Sequence, residues 1–493
     1  MPGTAEPDRA SRGYDFVVVA SRLPVDRADD VDHDGQAGEA QWRPSPGGLV
    51  TALEPVMREA NGVWIGWPGS AGPAPEPFDV EGMHLVCVGL SADEVRDFYE
   101  GFCNATLWPV YHDVIVAPVF HRPWWEAYVA VNRRFAQAAA EQAAPGATVW
   151  VNDYQMQLVP GMLREIRSDV RIGFFNHIPF PGYEIFAQLP WRRQIVEGLL
   201  GADLLGFQRH SDAANFLRAS RRAAKMITRG SLVRVPQPDA GQREARDERE
   251  VQVGAFPVSI DSAAFGELAR SPDVRERAAQ IRSGLGDPDV VLLGIDRLDY
   301  TKGIPHRLNA YSELLDEGRL SPPGVVLIVV ASPSRERVEH YRLLREEVEV
   351  TVGRINGQYA ELGSPSPPVH YLHQSFPRDE MAALYVAADV MLVTSLRDGM
   401  NLVAKEYVAC RNDETGALVL SEFTGAADEL VGAFLVNPHD IDGLKDAIVR
   451  AVTVSPQEAR RRMRSMRKRV YENDVAHWAA NFLDALKQTP GPQ

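Results

Sequence analysis

Residues 390–406 read Val-Met-Leu-Val-Thr-Ser-Leu-Arg-Asp-Gly-Met-Asn-Leu-Val-Ala-Lys-Glu. The apolar run Val390–Val393 predicts a buried strand, and a helical pattern starts near Asn401 after a loop that carries Asp398 and Gly399. A strand, a glycine turn and a helix N-terminus suit a diphosphate, because the N–H groups and the helix dipole both point at the ligand. The alternative is an ordinary strand-to-helix turn with a solvated helix.

Short apolar runs of the same kind recur along the chain, and helical patterns follow them. They lie at residues 16–20, 63–66, 85–89, 148–151, 172–175, 204–207, 253–256, 290–295, 325–330, 370–372 and 418–421. Strands that alternate with helices predict an α/β protein with parallel sheets. So many strands suit two Rossmann-like sheets better than one.

The polar and charged segment 235–250 predicts an exposed loop or hairpin tip, and we place a domain boundary just after it. We predict an N-terminal Rossmann-like domain over residues 1–258 and a C-terminal one over residues 259–472. The remaining residues, 473–493, form a C-terminal helix and tail. Its amphipathic pattern, with Trp478 and Phe482, predicts that it packs back on the body.

Composition excludes several classes of protein. A net charge of −15 disfavours a general nucleic-acid surface. The three cysteines are widely spaced, which indicates a reducing compartment and neither a zinc site nor a disulfide framework. The first apolar run is too short for a signal peptide or a membrane span. We therefore expect a cytoplasmic protein without nucleic-acid, membrane or metal partners.

A second candidate for phosphate binding follows the strand at 290–295, in the segment 294–303. Arg297 and Lys302 lie there in one strand-to-helix loop. Two cations in such a loop could neutralise a diphosphate leaving group without a metal. The alternative is ion pairing at the surface with Asp296 and Asp299.

Other polar residues also follow predicted strands or precede helices. Asp153 could hold or deprotonate a sugar hydroxyl, whereas a histidine such as His177 is more often structural than catalytic. Tyr99 and Trp108 fit a core, although sugar rings also stack on aromatic side chains. The further candidates are Arg22 and Arg335, which follow strands, and Gly47 and Gly48, a pair that admits a ligand to the backbone or only caps a helix.

Together these stretches resemble the trehalose-6-phosphate synthases, retaining glycosyltransferases of the GT-B fold, in which two Rossmann-like domains face each other across a deep cleft. The resemblance rests on Pro-Gly-Gly-Leu (46–49), Asn-Ala-Thr-Leu-Trp-Pro (104–109), Asp-Tyr-Gln (153–155), Phe-Phe-Asn-His-Ile-Pro-Phe-Pro (174–181), Asp-Arg-Leu-Asp-Tyr-Thr-Lys-Gly (296–303), Gly-Arg-Ile-Asn-Gly (353–357) and the stretch 396–406. It implies transfer of glucose from a nucleoside-diphosphate glucose, a substrate and not a cofactor, to glucose 6-phosphate. It also implies that no metal takes part and that the protein is a homo-oligomer, a dimer or a tetramer.

The resemblance assigns roles to individual residues. On the donor side it implies that Arg297 and Lys302 bind the phosphates and that Glu406 holds the ribose. The transferred glucose is surrounded by Asp398, Gly399, Met400, Asn401 and His177, while Gly47, Gly48, Leu402, Val403 and the base-side Phe376 line the donor site. On the acceptor side Arg22, Tyr99 and Arg335 clamp the phosphate with Trp108 beside it, and Asp153 contacts the sugar. The implied catalytic set is Arg297, Lys302, Asp398, His177 and Asp153.

Several points stay open. The family often reads Ser-Asn-Arg where this chain has Ala20-Ser21-Arg22, and histidine where it has Gln155, so the contacts to acceptor hydroxyls are unsettled. The donor base can be uracil, adenine or guanine. Retention implies same-face attack on the donor, while a double displacement would need Asp398 as the nucleophile. The rival functions are another GT-B enzyme, such as a glycogen-synthase-like transferase or an epimerase, and a non-catalytic sugar-phosphate sensor.

Overall fold

The structure is a computed structural model that describes residues 13–28, 41–44, 57, 62–236, 248–335, 337–359 and 366–491. The chain divides into two compact units. Unit 1 comprises Met1–Phe256 together with Ala479–Gln493, and unit 2 comprises Pro257–Trp478. Each unit is built around its own sheet, which is mainly parallel in unit 1 and wholly parallel in unit 2.

The strands of unit 1 are β1 (Tyr14–Arg22), β2 (Val25–Ala28), β3 (Gln41–Pro44), β4 (Gly62–Trp67), β5 (Phe78–Val80), β6 (Met83–Cys87), β7 (Ala143–Asn152), β8 (Arg171–Phe175), β9 (Leu204–Phe207), β10 (Ile227–Arg229), β11 (Leu232–Pro236) and β12 (Glu248–Ala255). Those of unit 2 are β13 (Val290–Arg297), β14 (Val325–Ser332), β15 (Val369–Leu372), β16 (Val390–Val393), β17 (Ala417–Ser421) and β18 (Phe434–Val436).

The α-helices are Ala92–Glu94, Trp108–Tyr111, Arg122–Gln142, Val159–Ile166, Tyr183–Phe186, Arg192–Leu199, His210–Ala223, Ser262–Leu268, Pro272–Gly284, Ile304–Asp316, Glu339–Tyr359, Arg378–Ala387, Leu402–Cys410, Ile441–Val452, Pro456–Glu472 and Val475–Gln488. A π-helical segment, Val95–Leu107, joins the first two, and short 3-10 turns occur at Tyr154–Met156, Tyr300–Lys302 and Gly425–Asp428. Among the described helices none is long and apolar enough to cross a membrane.

In unit 1, ten strands of the described chain form one sheet in the order β10-β11-β12-β9-β8-β7-β1-β4-β6-β5. The central strands from β12 to β6 pair in parallel, and antiparallel hairpins close both edges. The order reverses between β1 and β7, since the chain proceeds outward from each of them in opposite directions. In open α/β sheets, ligands bind at the carboxyl ends of the strands beside such a reversal point.

In unit 2, six strands within the described residues form a wholly parallel sheet in the order β15-β14-β13-β16-β17-β18. This is the doubly wound order typical of Rossmann folds, with β13 as its first strand. Its reversal point lies between β13 and β16, which pair at Leu292 with Val390 and at Leu293 with Met391. The loops at 297–303 and 394–401 therefore leave neighbouring strands at the same edge of the sheet.

The predicted α/β class with two Rossmann-like sheets is confirmed, and every predicted apolar run overlaps a strand. The two ends of the polar segment 235–250 lie in β11 and β12, which pair antiparallel from Leu232–Gln252 to Pro236–Glu248, and residues 237–247 lie outside the described residues. The C-terminal helix packs back on unit 1, as predicted. Phe482 has 0% exposure, and its ring lies 4.4 Å from that of Trp150.

Candidate active site

Two loops border the reversal point of the second sheet. Arg297 is the last residue of β13, and Lys302 ends the 3-10 turn before the next helix. Gly303 links that turn to the helix with a φ of +63°, and a Cβ there would lie 2.1 Å from the carbonyl oxygen of Thr394. Glycine is therefore required for the Lys302 loop to lie against the end of β16.

Lys302 and Asp398 form an ion pair across these loops, with 2.6 Å between Nζ and Oδ2. The same Asp398 oxygen accepts hydrogen bonds from Ser395 Oγ at 3.3 Å and Asn401 Nδ2 at 3.2 Å. Only 12% and 14% of the two side chains is exposed, so water competes little for the pair. The structure thus joins three predicted site residues, Lys302, Asp398 and Asn401.

Asn401 also starts the helix Leu402–Cys410. Its Oδ1 accepts a hydrogen bond from the N–H of Ala404 at 3.0 Å, which makes Asn401 the N-cap of a helix that was predicted to start near it. Leu402 and Val403 lie in the first turn, where N–H groups have no partner within the helix. The positive end of the helix dipole therefore lies at the Asp398 loop.

The backbone at Gly399 and Met400 is held by the loop after β17. The N–H of Ala426 donates to the carbonyl of Met400 at 2.9 Å. A Cβ on Gly425 would lie 2.1 Å from the carbonyl oxygen of Gly399, so the two loops approach as closely as a glycine permits. The side chain of Met400 is buried. The predicted donor loop therefore has a fixed backbone.

Three predicted cations lie around one buried carboxylate, that of Asp299. Its Oδ2 is 3.1 Å from Nη1 of Arg335, and its side chain has no exposed surface. Burial alone would raise the pKa of Asp299, but the positive charges of Arg335, Arg297 and Lys302 lower it to about 2. Positive charge is therefore concentrated at the carboxyl end of β13.

The alternative of surface ion pairs at Asp296 and Asp299 is wrong, because both carboxylates are buried. Asp296 pairs with Arg307, a guanidinium with no exposed surface that also donates from Nε to Thr394 Oγ1 at 3.2 Å. A Cβ on Gly294 would lie 1.6 Å from Nη1 of Arg307, so this glycine makes room for the pair. The pair therefore links the ends of β13 and β16.

Two further predicted donor residues lie farther from the reversal point. Glu406 follows Asn401 by little more than one helical turn, and its Oε2 accepts a hydrogen bond from Tyr385 OH at 2.7 Å. Burial raises the pKa of Glu406, although Tyr385 and Arg378 act against this shift. Phe376 follows β15 and lines a groove together with Gln374 and neighbouring side chains.

In unit 1, Arg22 and Tyr99 meet through a third residue, Trp67. The guanidinium carbon of Arg22 lies 5.3 Å from the Trp67 ring centroid, and the Tyr99 ring lies 5.4 Å from it. Gly69 has a φ of +94°, and a Cβ there would lie 2.2 Å from Nη2 of Arg22. Trp67 and Gly69 therefore determine where the Arg22 guanidinium lies, at the carboxyl end of β1.

Asp153 and His177 also lie together, after the neighbouring strands β7 and β8. Asp153 has a φ of +71°, and its Oδ1 accepts a hydrogen bond from the N–H of His177 at 3.0 Å. The Nε2 of His177 lies 3.2 Å from Oδ1 of Asn152. Although His177 as a whole residue is only half-buried, burial of its ring lowers the pKa from 6.5 to about 3. His177 is therefore a neutral imidazole near pH 7.

Trp108 is buried, as a core aromatic residue would be. Its ring centroid lies 4.1 Å from that of His112 and 5.7 Å from that of Tyr154. Tyr154 directly follows Asp153, and its OH donates to Oδ1 of Asn104 at 2.9 Å. Trp108 thus packs against Tyr154, the neighbour of the predicted site residue Asp153.

Sequence reasoning missed several residues that hold this site. Four of them gain their roles only through tertiary contacts: Trp67, Ser395, Tyr385 and Tyr341, whose OH lies 3.1 Å from Oδ2 of Asp299. Gly69 had a local signal, because Pro68-Gly69 follows β4 directly. The predicted Gly47 and Gly48 lie outside the described residues. The part of the chain that the structure describes contains no group of three or more His, Cys, Asp or Glu residues that could hold a metal ion.

Known proteins resemble the chain over nearly its whole length. The model of glycosyltransferase family 20 matches residues 14–488. A trehalose-6-phosphate synthase of Mycobacterium avium is 58% identical over 483 residues, which cover 97% of this chain and 96% of that relative.

Two solved structures have the same fold and bind sugar ligands. The E. coli protein bound with UDP-2-fluoro glucose is 33% identical, with a TM-score of 0.85 and coverage of 97% of this chain and 99% of that one. The UDP-forming trehalose-phosphate synthase of Burkholderia xenovorans in complex with glucose 6-phosphate is 32% identical, with a TM-score of 0.84 and coverage of 96% and 99%. By these similarities the chain belongs to glycosyltransferase family 20, together with its trehalose-6-phosphate synthase relatives.

Proposed function

We propose that this chain is a retaining glucosyltransferase that makes α,α-trehalose 6-phosphate from a nucleoside-diphosphate glucose and glucose 6-phosphate. Its relatives are named trehalose-6-phosphate synthases, and similar solved structures bind UDP-2-fluoro glucose or glucose 6-phosphate. The observation that carries the proposal is the reversal point of the second sheet. There Arg297, Lys302 and Asp398 lie beside the start of a helix.

The donor is assigned to residues 259–472. Arg297 and Lys302 bind its diphosphate, because cations and first-turn N–H groups are what a diphosphate needs. Asp398 and the Gly399–Met400–Asn401 backbone hold the glucose, Leu402 and Val403 border it, Glu406 binds the ribose hydroxyls and Phe376 lies on the base side. Gly47 and Gly48 complete this proposed site. The groups at Asp398 and Glu406 are held by hydrogen bonds, which supports a fixed spacing of glucose and ribose.

The acceptor is assigned mainly to residues 1–258. Arg22 and Tyr99 bind the phosphate of glucose 6-phosphate together with Arg335, and Trp108 lies beside it. Asp153 binds an acceptor hydroxyl, and His177 contacts the transferred glucose as a neutral hydrogen-bonding group. The contact of Arg22 and Tyr99 with one indole ring supports their joint role. The shared position of Asp153 and His177 supports a sugar-binding role. Residues 473–493 form a structural tail.

The proposed mechanism is attack by the anomeric hydroxyl of the acceptor on the face from which the diphosphate leaves. Arg297, Lys302 and the helix N-terminus stabilise the leaving phosphate, whose oxygen takes the proton of the attacking hydroxyl. Asp398 then positions the sugar. Three donors meet at its Oδ2, and donors of this kind stabilise a carboxylate and weaken it as a nucleophile. A glucosyl adduct on Asp398, found by mass spectrometry with a 2-fluoro glucosyl donor, would instead require double displacement.

The experiment that tests the activity uses the purified chain, glucose 6-phosphate and each of UDP-, ADP- and GDP-glucose in turn. We expect release of the nucleoside diphosphate with at least one donor, together with a disaccharide phosphate in the α,α configuration. A sugar-phosphate sensor would release none, and a glycogen-synthase-like transferase would not consume glucose 6-phosphate as acceptor. No release from any of the three donors would overturn the proposal.

We also assign the protein to the cytoplasm, as a homo-oligomer of two or four chains. Cys87, Cys103 and Cys410 form no disulfide, which supports a reducing compartment. Leu343 and Val350, one heptad apart on the helix Glu339–Tyr359, are 47% and 72% exposed, an apolar pair that suits a contact between chains. Light scattering on the purified protein measures the mass, and a mass of one chain at micromolar concentration would contradict the oligomer.

A further inference from the structure

Asp299 is the buried carboxylate of the donor loop, and the resemblance assigns it no role. It lies two residues after the end of β13, where it caps the 3-10 turn Tyr300–Lys302. Its Oδ1 accepts a hydrogen bond from the N–H of Thr301 at 3.0 Å. This bond uses one carboxylate oxygen and fixes the direction in which the other points.

The second oxygen, Oδ2, accepts hydrogen bonds from two side chains of another loop and helix. Arg335 Nη1 lies 3.1 Å from it, and the OH of Tyr341 also lies 3.1 Å from it. Arg335 Nη1 donates in addition to the OH of Tyr341, and its guanidinium lies 5.5 Å from the centroid of the Tyr341 ring. The guanidinium of Arg335 is thus held by a carboxylate, a hydroxyl and an aromatic ring.

The backbone of Arg335 also requires such support. Its φ is +50°, in the left-handed region that residues other than glycine rarely adopt. A residue in this strained conformation persists where surrounding contacts fix it. The contacts of Arg335 with Asp299 and Tyr341 fix it in this conformation.

A buried carboxylate is costly unless cations compensate it. Burial would raise the pKa of Asp299, but Arg335, Arg297 and Lys302 together lower it to about 2, so the group is charged near pH 7. The same negative charge reduces the mutual repulsion of the three cations.

We propose that Asp299 is a positioning residue, which with Tyr341 holds the guanidinium of Arg335 in the orientation that receives the phosphate of the acceptor. The inference rests on the proposed function, because that is where Arg335 is assigned to glucose 6-phosphate. Asp299 itself touches neither substrate. Its effect on the reaction passes through Arg335, and this dependence is what distinguishes it from a carboxylate that only stabilises the fold.

The test is a double-mutant cycle on the full chain with Asp299→Asn and Arg335→Gln. The asparagine keeps the acceptor for Thr301 N–H but removes the charge that Arg335 binds. We expect Asp299→Asn alone to raise the KM for glucose 6-phosphate about tenfold or more, with the donor KM changed by less than about threefold. In the Arg335→Gln background the same substitution should have almost no further effect on that KM.

Asp203→Asn is the matched control, because Asp203 is a buried carboxylate that also binds an arginine and a backbone N–H. It lies just before β9, away from the carboxyl ends of the strands, and should leave both KM values unchanged. If Asp299→Asn does not fold, Tyr341→Phe takes its place in the cycle, with the same expected direction. An unchanged KM, or an equal rise in both backgrounds, would overturn the inference, whereas an inactive wild type would overturn the proposed function itself.

Discussion

Lys302 is the residue at which the donor assignment can be tested most simply. Its ammonium lies 2.6 Å from Asp398 and next to the other cations of the loop. Lys302→Ala should lower kcat about a hundredfold and the donor KM much less, because the charge acts mainly on the leaving phosphate in the transition state. Steady-state kinetics with saturating glucose 6-phosphate measures this.

Lys445→Ala is the control for Lys302, since the Lys445 ammonium also forms ion pairs, at 2.7 Å to Glu313 and 2.6 Å to Glu317. It lies on the helix Ile441–Val452 and should leave kcat unchanged. If Lys302→Ala kept the wild-type kcat, the residue would not stabilise the leaving group.

The lowered pKa of His177 predicts how the stability of the fold depends on pH. Its pKa is about 3 in the folded protein against 6.5 as the ordinary value, so the unfolded chain binds a proton more readily between these values. The contribution of His177 to stability is therefore complete above pH 6.5 and is lost as the pH falls from there through the folded pKa. Urea unfolding of the wild type and of His177→Gln should show the wild type losing more stability between about pH 7 and pH 4.5. Equal losses in the two proteins would show that the His177 ring is not held neutral.

At the scale of one element, Asn401 makes two hydrogen bonds at the start of the helix Leu402–Cys410. One caps the helix by accepting from the N–H of Ala404, and the other donates to the predicted site residue Asp398. Asn401→Gly suits the φ of +83° and removes both bonds. A glycine at an N-cap costs only about a few tenths of a kcal/mol, so stability should change little. The lost donor to Asp398 should nevertheless lower turnover about tenfold or more.

The helix Pro456–Glu472 supplies the control for this prediction. Ser455 caps it by accepting from the N–H of Glu458 at 3.3 Å, far along the chain from the site. Ser455→Gly should alter stability by a similar small amount and leave turnover unchanged. A drop in turnover for both variants would mean that helix capping in general, and not the Asn401–Asp398 bond, accounts for the effect.

Elements with strong local patterns were predictable from sequence. The strand Val390–Val393 agrees with the prediction to the residue, and the next helix begins at Leu402, close to the predicted start near Asn401. β5, β10 and β18 were not predicted, since each has three residues, too few for a periodic signal. The π-helical segment Val95–Leu107 has no local signal that distinguishes it from an α-helix.

At the scale of the whole molecule, the sequence motifs do not show how the predicted site residues meet. The loops at 297–303 and 394–401 are about a hundred residues apart, and only the strand order of the second sheet makes them neighbours. The cluster of Arg297, Lys302 and Arg335 around Asp299 depends on burial, which turns an apparent surface ion pair into a positioned group. Motifs identify such residues, and the sheet topology assigns their partners.

The contrast between net and local charge yields a further prediction. The chain carries −15 overall, which repels an anionic substrate at long range, whereas the cations near Asp299 attract it locally. If the local cations dominate, the KM for glucose 6-phosphate should rise severalfold between about 20 mM and about 500 mM NaCl. A KM that falls with added salt would indicate that the net negative charge controls binding.

The central claim is that the reversal point of the second sheet binds the donor diphosphate, and the most direct measurement is the affinity for the released nucleoside diphosphate. Isothermal titration calorimetry compares the affinity for the nucleoside diphosphate between the wild type and Arg297→Gln. Arg297 is chosen because it is the last residue of β13, at the reversal point. The account predicts that binding weakens about tenfold or more in Arg297→Gln. Arg282→Gln, which removes a guanidinium paired with Asp389 near the amino end of β16, should bind like the wild type. Equal affinity of Arg297→Gln and the wild type would contradict the account.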